Sequence, residues 1–162
     1  AGFLCAEMPT EYGGGGGDYR HETVIMEEQL RAGVNGLGSQ VHSQIVAPYF
    51  LHYGTEEQKA DWVDDLAEGR RGFAFGITEP EHGSDATHMD THAVKDGDEW
   101  IINGEKTWNT GIHKADCDLI FARTSGTAGD GDGITAFLVP TNSPGFEILE
   151  YLWTFKIGRA HV

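Results

Sequence analysis

The sequence predicts an α+β fold, with helices over residues 1–71 followed by antiparallel β structure over residues 72–155. Up to about residue 69 the apolar residues recur at three- and four-residue spacing between capping residues; beyond it they alternate at period two between turn dipeptides. Helices followed by a run of strands, rather than strand and helix in alternation, indicate segregated α and β parts.

The five glycines at 13–17 cost too much backbone entropy for a helix or strand, so a flexible loop is expected there. From residue 18 to about 32 Asp18 can cap a helix in which Tyr19, Val24, Met26 and Leu30 supply apolar spacing between charged residues. A second helix is predicted over about 39–53, its stripe made of Val41, Ile45, Val46, Tyr49 and Phe50, with Pro48 predicting a kink or restart and Gly54 an end. Thr55 and Gln58 have the spacing of a capping box. Trp62, Val63, Leu66 and Ala67 supply the buried face of this third helix, and Gly69 sits where a left-handed stop belongs.

After Arg71 the residues Phe73, Phe75 and Ile77 alternate, as do those around Trp100 to Ile102, and Asp96-Gly97 and Asn103-Gly104 offer tight hairpin turns. Two more strands fit 117–124 and 134–139, separated by the Gly- and Asp-rich loop 125–133, and 146–149 is a further candidate.

Composition narrows the function. The formal charge of −15, from 26 acidic against 11 basic residues, repels phosphate backbones and anionic lipid, so neither a nucleic-acid nor a membrane partner is expected. No apolar run approaches the roughly 20 residues of a spanning helix. Cys5 and Cys117 are far apart and lack metal-ligand spacing, which fits a reducing, cytoplasmic setting. His88 and His92 lie four apart on a segment entering a predicted strand, which separates the rings, and no metal site is expected. The acidic groups at 96–99 and at Asp130 and Asp132 lack the closing Glu of a calcium loop and read as solvated tips.

One stretch, from Phe75 to Asp85, joins a strand end to a turn and gathers backbone N–H groups with the Thr78 and Ser84 hydroxyls, a corner that can bind a polar heterocycle or an amide. Taken on its residues alone, ordinary loop chemistry also accounts for it.

The segment Thr78-Glu79-Pro80-Glu81-His82-Gly83-Ser84-Asp85 resembles the TEP-x-x-GSD signature of acyl-CoA dehydrogenases. Further matches follow in family order. Pro9 to Gly14 resembles the family's Pro-x-x-Tyr-Gly-Gly segment, Gly54 to Lys59 its GTEEQK helix start, and Leu66 to Gly69 the end of that helix. Asn103 to Thr110 is similar to its NG-x-K-x-W-I-T strand, and Phe137 to Pro140, on to Gly145, also has a family look.

The resemblance implies a partial N-terminal helical domain at 1–71 and an antiparallel β-barrel-like middle domain at 72–155, with the family's C-terminal four-helix bundle absent. Residues 156–162 fit the family poorly, which leaves open whether this tail is native.

By the same resemblance the cofactor is FAD. Phe75, Ile77 and Thr78 then contact the pyrimidine edge of the flavin, largely through backbone N–H groups. Trp108 packs beside the isoalloxazine, the Thr110 hydroxyl reaches flavin N5, and Asn109 between them joins the set, although the family usually carries Ile there. Gly83 and Ser84 match positions near the acyl thioester and pantetheine. The implied reaction is α,β-dehydrogenation of an acyl-CoA to the trans-2-enoyl thioester, with electrons passed to electron-transferring flavoprotein. The family's catalytic Glu has no counterpart in this chain, so no catalytic residue is assigned and the fragment alone is expected to be inactive. A homo-oligomer of the full-length protein and a prokaryotic cytoplasm, rather than a mitochondrial matrix, complete the expectation. An acyl-CoA oxidase or flavin monooxygenase of the same fold is the alternative within the family. A noncatalytic flavin or acyl-CoA binding module is the alternative outside it.

Overall fold

Thr55 opens the helix with the clearest local logic: its side chain accepts from the Gln58 N–H at 3.2 Å while the Gln58 side chain accepts from the Thr55 N–H at 2.9 Å. In the computed structural model, which describes residues 3–34, 39–152 and the backbone of 159–161, the helices are α1 (Tyr19–Arg31), α2 (Ala47–Tyr53) and α3 (Glu56–Glu68). α3 stops at Gly69, whose φ of 68° is the left-handed conformation that a residue without Cβ adopts freely. A π-helical turn, Val41–Val46, runs straight into α2, and Pro48, which has no N–H to donate, stands just after it, where the wider turn interrupts the regular ladder.

The chain divides into two compact units, Ala1–Ala74 and Phe75–Val162. In the first, Val46, Phe50, Val63, Leu66 and Phe73 are buried, with Phe73 meeting Phe50 and Trp62 edge-on at 5.6 and 6.0 Å. α1 turns differently from its apolar spacing. Tyr19, Val24 and Leu30 are exposed, whereas Glu22 is buried and its carboxylate accepts the Ala6 N–H at 2.6 Å. A buried polar group that finds a hydrogen bond can outcompete a weak apolar stripe.

The five-glycine stretch is likewise a packed turn and not a loose loop. Its N–H groups bond back to carbonyls of residues 5–10, and a Cβ at Gly14 would stand 2.3 Å from the Met8 carbonyl oxygen. Only glycine permits that approach.

The second unit contains β2 (His92–Asp96), β3 (Glu99–Asn103), β4 (Asn109–Thr110), β5 (Cys117–Arg123), β6 (Ile134–Pro140), β7 (Glu150–Leu152) and β8 (Arg159–His161), and β1 (Phe73–Gly76) leads into it. One sheet has the order β1-β5-β2-β3, with β6 also on β5; the other has the order β4-β8-β7. The β2–β3 hairpin pairs Asp96 with Glu99, and β5 and β6 pair from Cys117↔Pro140 to Arg123↔Ile134.

The fold is α+β as expected, with three departures in detail. β2 meets β5 in parallel at His92↔Arg123, so the sheet is mixed and it does not close as a barrel. Asn103-Gly104 makes no hairpin: the chain leaves β3 extended and passes to the other sheet at β4. Residues 146–149 are not a strand, and the pairing begins at Glu150. Of the tail, Arg159–His161 pair as β8 between β4 and β7, while 156–158 and 162 lie outside the described residues.

Candidate functional site

β1 ends at Gly76, and the chain continues extended through Ile77 and Thr78 into Glu79, which is 4% exposed. The Glu79 carboxylate accepts from the Asp90 N–H at 2.6 Å, the Thr91 N–H at 3.0 Å and the Lys106 ammonium at 2.7 Å. Lys106 is itself only 2% exposed and also reaches the Ile77 carbonyl at 3.4 Å. Burial raises the Glu79 pKa, but Lys106, Thr91 and the two backbone donors outweigh it and hold the carboxyl below its ordinary value. Burial also pushes the Lys106 ammonium below its ordinary value, against the pull of Glu79 and Asp118, so the two buried groups, 2.7 Å apart, depend on each other for compensation.

Next along, the Thr107 N–H donates to the Thr78 carbonyl at 2.8 Å. Thr107 is buried, as is Asn109, yet Trp108 between them is 47% exposed with φ of 59°. A bulky residue at positive φ is strained and persists only where its surroundings over-determine it. Here the bonded neighbours on either side supply that constraint, and the indole is turned outward as a held aromatic face. Thr110 follows, half-buried, in β4.

The Thr107–Thr78 bond and the close approach of Gly76 to Asn109 thus set the segment that carries Phe75, Ile77 and Thr78 beside the one that carries Trp108, Asn109 and Thr110. The Asn109 side chain, however, points inward: it is fully buried and its amide donates to Asp118 at 2.6 Å. Any ligand contact it makes is through its backbone. Gly83 and Ser84 lie on an exposed turn after the reciprocal Glu79–His82 backbone bonds, and nothing stands within 4 Å of a Cβ built on Gly83.

Sequence reasoning missed Glu79, Lys106 and Asp118. The first two sit inside the quoted motifs, and a Lys two residues after the Asn103-Gly104 pair was the available signal. Asp118, in a strand otherwise read as apolar, was the other. Among the described residues no group of three or more His, Cys, Asp or Glu side chains could hold a metal ion, and His88 lies in a short 3-10 turn while His92 begins β2. Cys5 and Cys117 are buried, and no helix of the described residues is long and apolar enough to cross a membrane.

The fit to a planar ligand rests on the outward Trp108 face beside a strand end whose backbone is fixed by Glu79 and Thr107. This chain belongs to the acyl-CoA dehydrogenase family: the profile for its N-terminal domain matches residues 1–70 and that for its middle domain residues 74–159. Among curated relatives it is similar to acyl-CoA dehydrogenase FadE12 of Mycobacterium tuberculosis, 37% identical over 145 residues, covering 90% of this chain and 37% of that protein. Among solved structures, an acyl-CoA dehydrogenase from Geobacillus kaustophilus superposes with a TM-score of 0.91 at 36% identity, over 99% of this chain and 43% of that one. A glutaryl-CoA dehydrogenase from Mycobacterium smegmatis in complex with FADH2 gives 0.85 at 34% identity, over 99% and 41%. The chain therefore spans roughly two fifths of the relatives it matches.

Proposed function

We propose that this chain forms the flavin-facing part of an enzyme that dehydrogenates an acyl-CoA thioester between its α and β carbons. The observation that carries the reading is Trp108, held at positive φ between two buried residues and locked beside residues 75–78.

In this reading FAD is the cofactor and supplies the hydride acceptor. The backbone N–H groups of Phe75, Ile77 and Thr78 donate to the pyrimidine edge, where fixed donors stabilise developing negative charge without reorganisation. Trp108 covers the ring, Asn109 contributes its backbone, and Thr110 offers its hydroxyl toward N5. Gly83 allows close approach of the thioester arm, and Ser84 offers it a hydroxyl. No residue of this chain is assigned as the base that removes the α-proton, so residues 1–162 alone are expected to show no turnover. Electron-transferring flavoprotein as acceptor, a homo-oligomeric full-length protein, and a division into a helical domain at 1–71 and a middle domain from 72 belong to the same proposal.

The test is to express the complete gene and record the visible spectrum anaerobically before and after a panel of acyl-CoAs. Yellow absorbance that bleaches with one of them establishes the reading and its substrate class. A colourless protein that cannot be reconstituted with FAD overturns it.

A further inference from the structure

Directly behind the outward face of Trp108 lies a polar pair that the proposed chemistry leaves unused. Asn109 and Asp118 are both fully buried, joined by the 2.6 Å amide-to-carboxyl bond, and among the described residues each leaves its Oδ1 without a hydrogen-bond partner. The Gly76 backbone also bears on the Asp118 carboxyl and lowers its pKa. A Cβ at Gly76 would lie 3.0 Å from Asp118 Oδ2 and 3.2 Å from Asn109 Nδ2, so the β1 backbone is seated closely on the pair.

The connectivity is informative. Gly76 stands between Phe75 and Ile77, and Asn109 stands between Trp108 and Thr110. One carboxyl therefore reaches both segments that carry the proposed flavin contacts. Six of the seven residues of β5 are buried, and an incompletely bonded carboxyl in such a strand costs stability that an apolar residue would not.

We infer that Asp118 is a positioning residue for the flavin face: through Asn109 and Gly76 it holds the Trp108–Thr110 segment and the end of β1 in one fixed relation. The inference rests on the flavin reading for its purpose, though not for its geometry. Among the described residues, few groups face Asp118. β1 presents the Gly76 backbone and β4 the Asn109 amide, its partner on β6 is the uncharged Val139, and the charge that acts on it is that of Lys106, already paired with Glu79. Burial pushes the Asp118 carboxyl up to about 7, against the pull of Asn109, Lys106 and Gly76, so the pair changes charge near neutrality.

The test uses the protein expressed from the complete gene with Asp118→Asn, Asp118→Leu and the double variant Asp118→Leu/Asn109→Ile. Two quantities are read: the FAD Kd as a function of pH, and hydrogen exchange of peptides covering 75–79 and 106–110 in the apoprotein. Wild type is expected to show a step in Kd centred near 7, which Asp118→Asn removes. Asp118→Leu alone should weaken FAD by about tenfold or more, with faster exchange in both peptides together, and the double variant should recover to within about threefold. Unchanged exchange in both peptides, exchange that rises evenly through the whole chain, or a pH step that survives in Asp118→Asn overturns the inference. If Asp118→Leu does not fold, the Asn and double variants decide by the same readouts. If wild type binds no FAD, the flavin reading fails, and the exchange of the two peptides still decides whether Asp118 couples them.

Discussion

Glu79 and Lys106 face each other with both side chains almost wholly out of water, which makes them the residues least tolerant of single replacement. Glu79→Gln leaves the ammonium buried without its counter-charge and is expected to destabilise by about 3–5 kcal/mol in denaturant titration, whereas replacing both with apolar residues of similar volume should cost much less. Trp108→Gly removes the aromatic face while relieving a strained backbone, since only a residue without Cβ adopts φ of 59° freely. It should weaken FAD binding, measured by flavin fluorescence titration, without lowering thermal stability. Asp118 gives a pH signature of known sign. Its carboxyl rises from 3.8 to about 7 on folding, so between those values the native state holds a proton that the unfolded state has lost. Stability from this group therefore falls as pH rises from about 4 to about 7. Asp118→Asn should flatten that slope. Glu79 acts in the opposite sense: its depressed pKa contributes stability above the ordinary Glu range that is lost as pH falls through its folded value. The roles of these three residues were not legible in the sequence, because each depends on a partner at least nine positions away. Trp108 and Thr110 were legible as parts of a motif, but the positive φ that turns the indole outward was not.

At the scale of single elements, capping chemistry is local and was readable. Asp18 caps α1, its side chain accepting from the Arg20 N–H at 3.0 Å, and the Thr55–Gln58 box and Gly69 bracket α3 as their spacing predicts. Thr55→Ala should cost about 1 kcal/mol by thermal or denaturant melting, with no effect on the β elements. The orientation of α1 was not readable in the same way. Tyr19, Met26 and Leu30 share one arc of that helix, but the buried arc is centred on Glu22, because the Ala6 N–H offers its carboxylate a bond. The β2–β3 turn was legible from Asp96-Gly97, because a tight-turn dipeptide acts locally. The start of β7 depended on β8, which the residues at 146–149 do not meet.

For the molecule as a whole, 26 acidic against 11 basic residues give a self-repelling surface at neutral pH. Raising salt from low ionic strength to about 0.5 M, where the Debye length drops to a few ångströms, should raise Tm in scanning calorimetry. A flat or falling Tm would show that local ion pairs such as those of Arg70 with Asp64 and Asp65 already balance the repulsion. The amino-acid order established the α+β arrangement, the helix ends, the β5–β6 and β2–β3 strands and the family, because caps, turns and periodicity act over a few residues. The folded chain settled which face of α1 is buried, that the sheet is mixed and open, and that Glu79, Lys106, Asn109 and Asp118 bind the 75–79 and 106–110 segments together. Those outcomes turn on hydrogen bonds and desolvation between distant residues, and a polar side chain has no way of announcing its partner until the chain has brought the two into contact.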